Sequence, residues 1–409
     1  MMGAMIRKSN GLWAINDKIA QSYDHVPYDP QALPDFDPEW LFGMAALHGV
    51  EQRRTEVDVL DLGCGTGSQL ERAASMCAGR LVGTDLSQSA CERAAERVGV
   101  FGDRAEIRCA DFLDLDCDDL GQFDLIYHIG VLYVIPEEVR TRVLALIGQC
   151  LKPGGVAVIS YHTGAIPLLT AGIHRALRAC KDESLPVEEQ IRAGRARLHE
   201  IEGWLSRIGG DHSAMRTALQ RIDNSPDVVF FHEMLNERYS ALSTAALHAE
   251  LSDGGVHFLN WVYPGPFGEI ARAADRAIAA DAWSFGGGGY HCAVFAKCDG
   301  VQPASARSAD LLWETHLTRI ETQSGEATFS DGSDNYLTIV NPVTEAALEL
   351  LSLEPRRYAD LCETLEQTFA GQREMGTVDS VLNRNLVALW QQGLARARWV
   401  PGSTHPISA

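Results

Sequence analysis

The stretch VLDLGCGTG, residues 59–67, places an acid directly before a glycine turn. Asp61 is followed by three glycines at alternate positions, Gly63, Gly65 and Gly67. A dinucleotide fingerprint needs glycine at the sixth position of the turn, where a serine stands here, and no Lys-Ser/Thr pair follows as in a phosphate-binding loop. An acid at this position repels phosphate. It suits an ammonium group, such as that at the methionine end of S-adenosylmethionine (SAM).

Two further acids stand where the next strands should end. Asp85 closes RLVGTD, where a carboxylate can accept hydrogen bonds from both ribose hydroxyls. Asp111 stands in CADF, where it can accept an adenine amino hydrogen, with Phe112 beside the ring. Because ligands bind at the carboxyl ends of such strands, the three acids and the glycine turn predict one SAM crevice. We count Cys64 and Leu86 among the predicted cofactor contacts.

The elements that must hold these acids alternate between strands and helices from residue 57 onward. Apolar runs such as VDVLDL and PGGVAVISY alternate with amphipathic stretches, which is typical of a doubly wound parallel α/β sheet. Helical patterns over residues 165–255 interrupt the alternation, and VHFLNWV and YHCAVFAKC then complete the sheet with the last strand antiparallel. Since loops at the carboxyl edge cover the crevice, this insertion is a predicted lid or substrate platform.

The chain divides by pattern into six segments. A polar stretch rich in Gly, Pro, Ser and Ala indicates a linker after the sheet, and short helices flanked by a β-pair follow it. We expect the part after the linker to fold separately, because it has its own apolar periodicity. The predicted segments are a helical cap (1–56), the SAM-binding core (57–164), the helical insertion (165–255), the completion of the sheet (256–298), the linker (299–310) and an α+β winged-helix-like domain (311–409).

Several motifs of the chain resemble a known family. DLGCGTG, TDLS, ADFLDL, FDLIYHIGVLYVIP and LKPGGVAVISY follow the order seen in class I SAM-dependent methyltransferases. This resemblance implies a seven-stranded class I sheet, with SAM bound along Asp61–Gly67, Asp85 and Asp111. NDKIAQSYDHVPY, VVFFHEMLNE and the C-terminal helices resemble a narrower bacterial subgroup that carries a methyltransferase regulatory domain. Relatives in that subgroup include protein-lysine methyltransferases that act on outer-membrane proteins, which implies a lysine acceptor.

Transfer of a methyl group to an amine requires a free lone pair on the nitrogen. Because the reference pKa of lysine is near 10.4, deprotonation at neutral pH costs about 4 kcal/mol, and a nearby tyrosine, histidine or carboxylate can take the proton. Strand alternation lets at most one of Tyr127 and His128 face the crevice easily. Tyr133 is our first choice. The predicted catalytic residues lie at the ends of strands four and five: Tyr133, His128, His162 and Tyr161.

Other predicted contacts come from the N-terminal segment and the insertion. Tyr23 is predicted to fold over the cofactor, near the methionine carboxylate or the sulfonium, and His128 is a further predicted cofactor contact. We expect His232 and Glu233 to reach from the insertion as acceptor-binding groups, although a surface pair is the equal alternative. Tyr133 and His162 are counted with them as substrate-binding residues.

Composition excludes several classes of function. The chain has 409 residues, 46% of them hydrophobic, which suggests two or three domains, and its net charge of −20 disfavours nucleic-acid binding. We expect no membrane span, since no apolar run approaches about 18 residues. HEMLN lacks the second histidine of a HExxH zinc motif, so no metal site is predicted. Ten cysteines without paired spacings predict reduced thiols in the cytoplasm. The sequence does not decide whether the chain forms a homodimer.

Three functions remain open from the sequence. The first is an amine methyltransferase, with a peptide or protein lysine as the first-choice acceptor. The second is a small-molecule N- or O-methyltransferase in natural-product tailoring, which an enclosing lid would suit. The third is a regulatory protein that binds SAM without catalysis, since a sensor would keep the same glycine turn and acids.

Overall fold

A computed structural model describes residues 11–50, 56–286, 289–308, 311–320, 327–332, 336–370 and 377–400. Parts of the predicted domains, residues 1–10, 51–55, 309–310 and 401–409 among them, lie outside these ranges. Seven strands form the central sheet: β1 (Val59–Leu62), β2 (Leu81–Asp85), β3 (Ala105–Cys109), β4 (Phe123–His128), β5 (Leu151–His162), β6 (Val256–Trp261) and β7 (Tyr290–Lys297). Their order is β3-β2-β1-β4-β5-β7-β6, and only β7 runs antiparallel to its neighbours. The predicted seven-stranded doubly wound sheet is confirmed.

Helices cover both faces of this sheet, so β1 and β4 are buried over their whole length and their sequences are almost continuously apolar. These helices and the two that precede the sheet are α1 (Gly11–His25), α2 (Pro38–Leu47), α3 (Ser68–Ala74), α4 (Gln88–Val98), α5 (Cys117–Leu120) and α6 (Glu137–Cys150). Ser87 caps α4 by accepting a hydrogen bond from the amide of Ala90.

The helical insertion leaves the sheet after β5 and returns to it at β6, as predicted. It consists of α7 (Ala165–Arg178), α8 (Val187–Leu205), α9 (Ser213–Asp223), the single turn α10 (Asp227–Val229), a π-helical turn (Phe230–Met234) and α11 (Thr244–Ser252). Leu198, Leu219 and Phe230 are buried in a small apolar core of its own. After β6, α12 (Ala273–Ser284) leads into β7. No helix in the described ranges is both long and apolar enough to cross a membrane.

The described residues of the C-terminal region form two small sheets and three helices. Its elements are β8 (Leu311–Glu314), β9 (Thr318–Ile320), β10 (Ala327–Ser330), β11 (Tyr336–Ile339), α13 (Pro342–Leu353), β12 (Arg356–Arg357), α14 (Tyr358–Thr368), α15 (Val378–Gln391) and β13 (Arg396–Trp399). One sheet has the order β11-β10-β9 and the other β12-β8-β13. The predicted α+β character of this region is confirmed, and its relation to winged-helix domains stays a prediction.

The C-terminal region shares one apolar core with the central sheet. Gly43 of α2 lies so close to β13 that a Cβ atom there would stand 2.1 Å from the carbonyl oxygen of Ala397. The rings of Phe42 and Trp399 are 5.3 Å apart, edge to face. This packing argues against separate folding, because α2 buries its apolar side chains against the C-terminal strand and against the sheet together.

The chain between the two regions is packed as well. Within the predicted linker, Ala304 and Ala306 are buried. The side-chain oxygen of Asn383, on α15, accepts hydrogen bonds from the Ser305 hydroxyl at 3.0 Å and from the Ala306 amide at 2.7 Å. These contacts fix residues 304–306 against the C-terminal helices, although their composition is typical of an exposed linker.

Candidate active site

A cavity of about 600 Å³ lies at the carboxyl ends of β1 to β4, between the glycine turn and the insertion. This volume is within the range of small-ligand pockets, roughly 300–1,000 Å³. The structure brings most of the predicted site residues together in its walls. Those that line it are Tyr23, Asp61, Gly63, Cys64, Gly65, Asp85, Leu86, Asp111, Phe112, Tyr133, His162, His232 and Glu233.

The turn requires glycine for two reasons: the backbone is left-handed there, and at some positions there is no space for a Cβ atom. Gly63, Gly65 and Gly67 have φ angles of 84°, 53° and 80°, in the left-handed region that side chains rarely adopt. A Cβ on Gly63 would also stand 2.6 Å from the side chain of Val131. Gly67 is not among the residues that line the cavity, and its role as a cofactor contact stays a prediction. It lies at the start of α3, and a Cβ there would stand 3.1 Å from Ala94 of α4.

Asp61 is a buried acid without a cationic partner. Only 3% of its surface is exposed, and no Lys, Arg or His of the described residues forms an ion pair with it. Burial, with a smaller contribution from the charge of Asp85, raises the pKa of Asp61 to about 8. A buried carboxylate of this kind fits a ligand that brings an ammonium group into the cavity.

Asp85 is oriented by backbone amides. Its Oδ2 accepts a hydrogen bond from the amide of Gly65 at 2.8 Å, and its Oδ1 accepts one from the amide of Ser87 at 2.9 Å. Burial raises the pKa of Asp85. The carboxylate is therefore held at the end of β2 beside the glycine turn, where the sequence predicts a ribose contact.

Asp111 is held by a residue that the sequence analysis missed. The Asn16 side-chain amide donates to Asp111 Oδ2 at 2.7 Å, and the Leu113 amide donates to Oδ1 at 2.9 Å. Asn16 lies in the cavity wall together with Ile19 and Tyr23 of α1. These positions follow helical spacing, so the stripe they form on α1 is the signal that could have identified Asn16.

The last residues of α1 and the segment that follows it, together residues 24–33, form a strap over the turns of the sheet. Asp24 accepts a hydrogen bond from the hydroxyl of Ser87 at 2.6 Å, next to the end of β2. Asp29 accepts one from the hydroxyl of Thr66 in the glycine turn. The strap thus covers the cavity from the N-terminal side, as expected of a segment that shields a cofactor.

An aromatic cluster surrounds the acid of the π-helical turn. The Tyr133 hydroxyl donates to Glu233 Oε1 at 3.1 Å. The ring of Tyr133 lies edge to face with His162 at 4.4 Å and with Tyr290 at 6.1 Å, and Tyr239 contacts His162 at 5.2 Å. The cluster, made of Tyr133, His162, Tyr239 and Tyr290, therefore builds an apolar wall around one carboxylate.

His232 connects the insertion to the strap. Its ring stacks on Tyr23 with centroids 4.1 Å apart, and its Nε2 donates to the carbonyl oxygen of Val26 at 2.7 Å. Burial lowers the pKa of His232 to about 4, so the imidazole is neutral. The two distinctive motifs of the sequence, SYDHVPY and FHEML, thus meet through Tyr23 and His232.

Two predicted catalytic residues lie outside the cavity. His128 is fully buried, and its Nδ1 lies 2.7 Å from the carbonyl oxygen of Leu62. Tyr161 is fully buried, and its hydroxyl bonds to Thr244 at 2.8 Å and accepts from Trp261 Nε1 at 3.2 Å. The catalytic predictions for both residues are therefore corrected. The hydroxyl of Tyr161 is bonded within the core, and the ring of His128 packs against Phe112 outside the cavity. For the same reason His128 is removed from the predicted cofactor contacts.

Tyr290 is the main residue of the cavity that sequence reasoning missed. It is the first residue of β7. Because β7 is antiparallel to β5, the strand begins at the edge where the parallel strands end, and Tyr290 pairs in register with His162. The predicted antiparallel direction of this strand was the signal that could have placed its first residue in the site.

Comparison with known proteins agrees with this geometry. The sequence model of a family described as a methyltransferase domain matches residues 59–155. An uncharacterized protein of Rickettsia prowazekii is 31% identical over 162 residues, which are 39% of this chain and 61% of that protein. The ribosomal protein L11 methyltransferase of Geobacter metallireducens is 30% identical over 144 residues, 33% of this chain and 45% of that protein. The chain thus covers less than two thirds of the length of either relative.

Among solved structures, PKMT2 from Rickettsia typhi has the same fold over nearly the whole chain. The two superpose with a TM-score of 0.72 at 17% identity, covering 93% of this chain and 77% of that one. The same protein is known in complex with AdoHcy, with a TM-score of 0.72. Sheet order, glycine turn, family match and shared fold lead to one conclusion: residues 59–155 match a methyltransferase-domain family and have the fold of its class I sheet.

Proposed function

We propose that the chain transfers a methyl group from SAM to an amine, with a peptide or protein lysine as the first-choice acceptor. The observation that carries this proposal is Glu233 within the aromatic cluster. Faces of aromatic rings attract cations, and a carboxylate adds charge complementarity, so this wall suits an ammonium group better than a phenol or a carboxylic acid. An anionic acceptor would be repelled by Glu233.

The cofactor is assigned to the opposite wall of the cavity. We assign its ammonium to Asp61, its ribose hydroxyls to Asp85 and its adenine amino group to Asp111. When bound there, SAM supplies an electrophilic methyl group on a sulfonium. The chain's own contribution is to orient both ligands, and the strap and Tyr23 exclude water from the space between them.

Four further observations support a protein acceptor in the cytoplasm. PKMT2, a protein-lysine methyltransferase, shares this fold, and the named L11 relative is a ribosomal protein methyltransferase. The ten cysteines are all free thiols, which is usual in a reducing compartment. The net charge of −20 favours the approach of a basic acceptor.

Incubation with tritiated SAM tests the proposal. We expect label on poly-L-lysine and none on poly-L-arginine, which matches its charge without offering an amine. A catechol and a carboxylic acid test the small-molecule alternative in the same assay. Label on the catechol or the acid but not on poly-L-lysine would reject an amine acceptor, and SAM binding without label on any acceptor would favour a regulatory protein.

The affinity for SAM should depend on pH through Asp61. With the pKa of Asp61 at about 8, the free protein must lose a proton below that pH before Asp61 can pair with the ammonium. The dissociation constant should therefore fall with rising pH, by at most about tenfold per unit, as far as about pH 8, above which the α-amino group of the ligand loses its own proton.

Calorimetry from about pH 6 to pH 9 measures this dependence. Asp61→Asn is the matched control, because it keeps the shape of the side chain but has no charge to lose. The variant should bind SAM more weakly and with a flatter dependence on pH. Equal slopes in the two proteins would remove Asp61 from the ammonium site.

A further inference from the structure

We propose that Glu233 is the catalytic base that takes the proton from the acceptor amine, and that Tyr133 is its positioning residue. This inference rests on the proposed function, an amine acceptor at the aromatic cluster. Glu233 belongs to the insertion and lines the same cavity as the acids at the ends of β1, β2 and β3. Tyr133 donates its hydroxyl hydrogen to Oε1 at 3.1 Å, which leaves Oε2 available to a ligand.

The backbone around Glu233 fixes its direction. It lies in the π-helical turn Phe230–Met234, and single π-turns occur frequently at functional sites. Phe230 at the start of this turn is fully buried against α8, where a Cβ on Gly194 would stand 2.9 Å from its ring. His232 ties the turn to the strap. The carboxylate is therefore held by packing on one side and by the strap on the other.

The other polar groups of the cavity are less suited to accept this proton. Burial raises the pKa of Tyr133 far above its ordinary value, so its hydroxyl stays protonated. Burial lowers the pKa of His162 to about 3, which makes it a weak base. His232 uses its Nε2 hydrogen to hold Val26, and its pKa is about 4.

Glu233, in contrast to these groups, is suited to accept the proton. Burial raises its pKa, and the hydrogen bond from Tyr133 opposes that rise. The positive charge of Lys181 acts on the adjacent His232, whose pKa it lowers. The titratable groups that face Glu233 are neutral near pH 7. Those groups are Tyr23, Tyr28, Tyr133, His162, His232, Tyr239 and Tyr290. A carboxylate in such surroundings is a stronger base than one in water, so its pKa lies closer to the working pH.

The proposed step balances as follows for a lysine acceptor. The ammonium N–H bond breaks and its proton forms an O–H bond with the Glu233 carboxylate, which leaves the electron pair on nitrogen. That pair forms the new N–C bond with the methyl carbon, while the C–S bond breaks and its electrons stay on sulfur. Glu233 then releases its proton to solvent, and the methylated amine and the demethylated cofactor leave.

The test compares the pH dependence of kcat/KM on poly-L-lysine for the wild type and E233Q. Glutamine keeps the shape and accepts the bond from Tyr133, but it cannot take a proton. At pH 7 we expect a loss of about 10²–10⁴-fold. The loss should shrink by about tenfold per pH unit as the solvent deprotonates lysine, whose reference pKa is near 10.4.

Three controls make the outcome specific. E188Q makes the same chemical change at an exposed position on α8 and should leave the profile unchanged. E233Q should bind SAM within about twofold of the wild type by calorimetry. Y133F removes the bond that holds the pKa of Glu233 down, so the acidic limb of the profile should move to higher pH.

Two results would overturn the assignment. A loss in E233Q that is the same at every pH would make Glu233 a binding group only, and an unchanged rate would remove it from the site. In both cases the wild type still labels poly-L-lysine, so the proposed function stands. A wild type that labels a catechol and not poly-L-lysine would instead reject the proposed function and this inference with it.

Discussion

A chain that ends at Asp299 is expected to lose cooperative folding of the methyltransferase sheet, and with it SAM binding. The truncation removes β13 and α15 from the apolar face of α2, where Leu41, Phe42 and Leu47 are buried. Exposing a buried leucine or phenylalanine costs about 1.5–3 kcal/mol, so three of them approach the total stability of a domain, about 5–15 kcal/mol. Calorimetric unfolding and size-exclusion chromatography of the truncated and full chains measure this effect.

Point substitutions in the full chain separate lost packing from the general effects of truncation. Trp399→Ala removes a side chain that is 4% exposed and contacts Phe42, and it should cost about 3–5 kcal/mol. Leu353→Ala is the control, since that leucine is 80% exposed and should change stability by less than about 0.5 kcal/mol. A truncated chain with a sharp unfolding transition and intact SAM binding would instead show that the sheet folds alone.

Arg276→Met is expected to lower the free energy of unfolding by about 2–4 kcal/mol. Arg276 is fully buried, and no carboxylate of the described residues forms an ion pair with it. Its guanidinium donates instead to backbone carbonyl oxygens of Phe258, Leu259, Ile270 and Gln302. Methionine fills similar space but leaves these acceptors without their charged donor.

Urea unfolding of Arg276→Met and Arg272→Met checks this prediction. Arg272 lies four residues earlier, its side chain is 79% exposed, and it forms only an ion pair of 3.6 Å with Asp275. Its replacement should change stability by less than about 0.5 kcal/mol. Equal effects of the two substitutions would mean that the hydrogen bonds from Arg276 to the carbonyl oxygens only offset the free-energy cost of burying its charge.

The sheet could be predicted because its signals are local. Fully buried parallel strands give continuous apolar runs, and the turn after β1 requires glycine at positions where φ is positive. Asp61, Asp85 and Asp111 follow from the same reasoning, since each stands at or just after a strand end. Predicting these features does not require knowing which distant segments of the chain pack together.

The wall of the cavity that contains Glu233 could be predicted only in part. Tyr133, His162, His232 and Glu233 were expected there, but Tyr290 belongs to a strand far along the chain. Its place follows from the antiparallel direction of β7, which was predicted from the sequence without being followed through to the first residue of the strand. His128 and Tyr161 were wrongly predicted to line the site for a related reason. The sequence shows which residues end a strand, but it does not show which face of the sheet an insertion will cover.

The shared core could not be predicted at all from local pattern. A stretch rich in Gly, Pro, Ser and Ala has the composition of a linker whether or not it is packed, and Ala304 and Ala306 give no sign of their burial. The close approach of Gly43 to Ala397 is likewise visible only in three dimensions.

The contact between α2 and β13 also has a consequence for biosynthesis. Its two partners are separated by roughly 350 residues, so a nascent chain on the ribosome exposes the apolar face of α2 until β13 has been synthesised. At about 5–20 residues per second, the roughly 350 residues between Gly43 and Ala397 take roughly 20–70 seconds to synthesise. During that time the unpaired helix is a target for chaperones or for association with other chains, and this part of the core can close only once β13 has emerged from the ribosome.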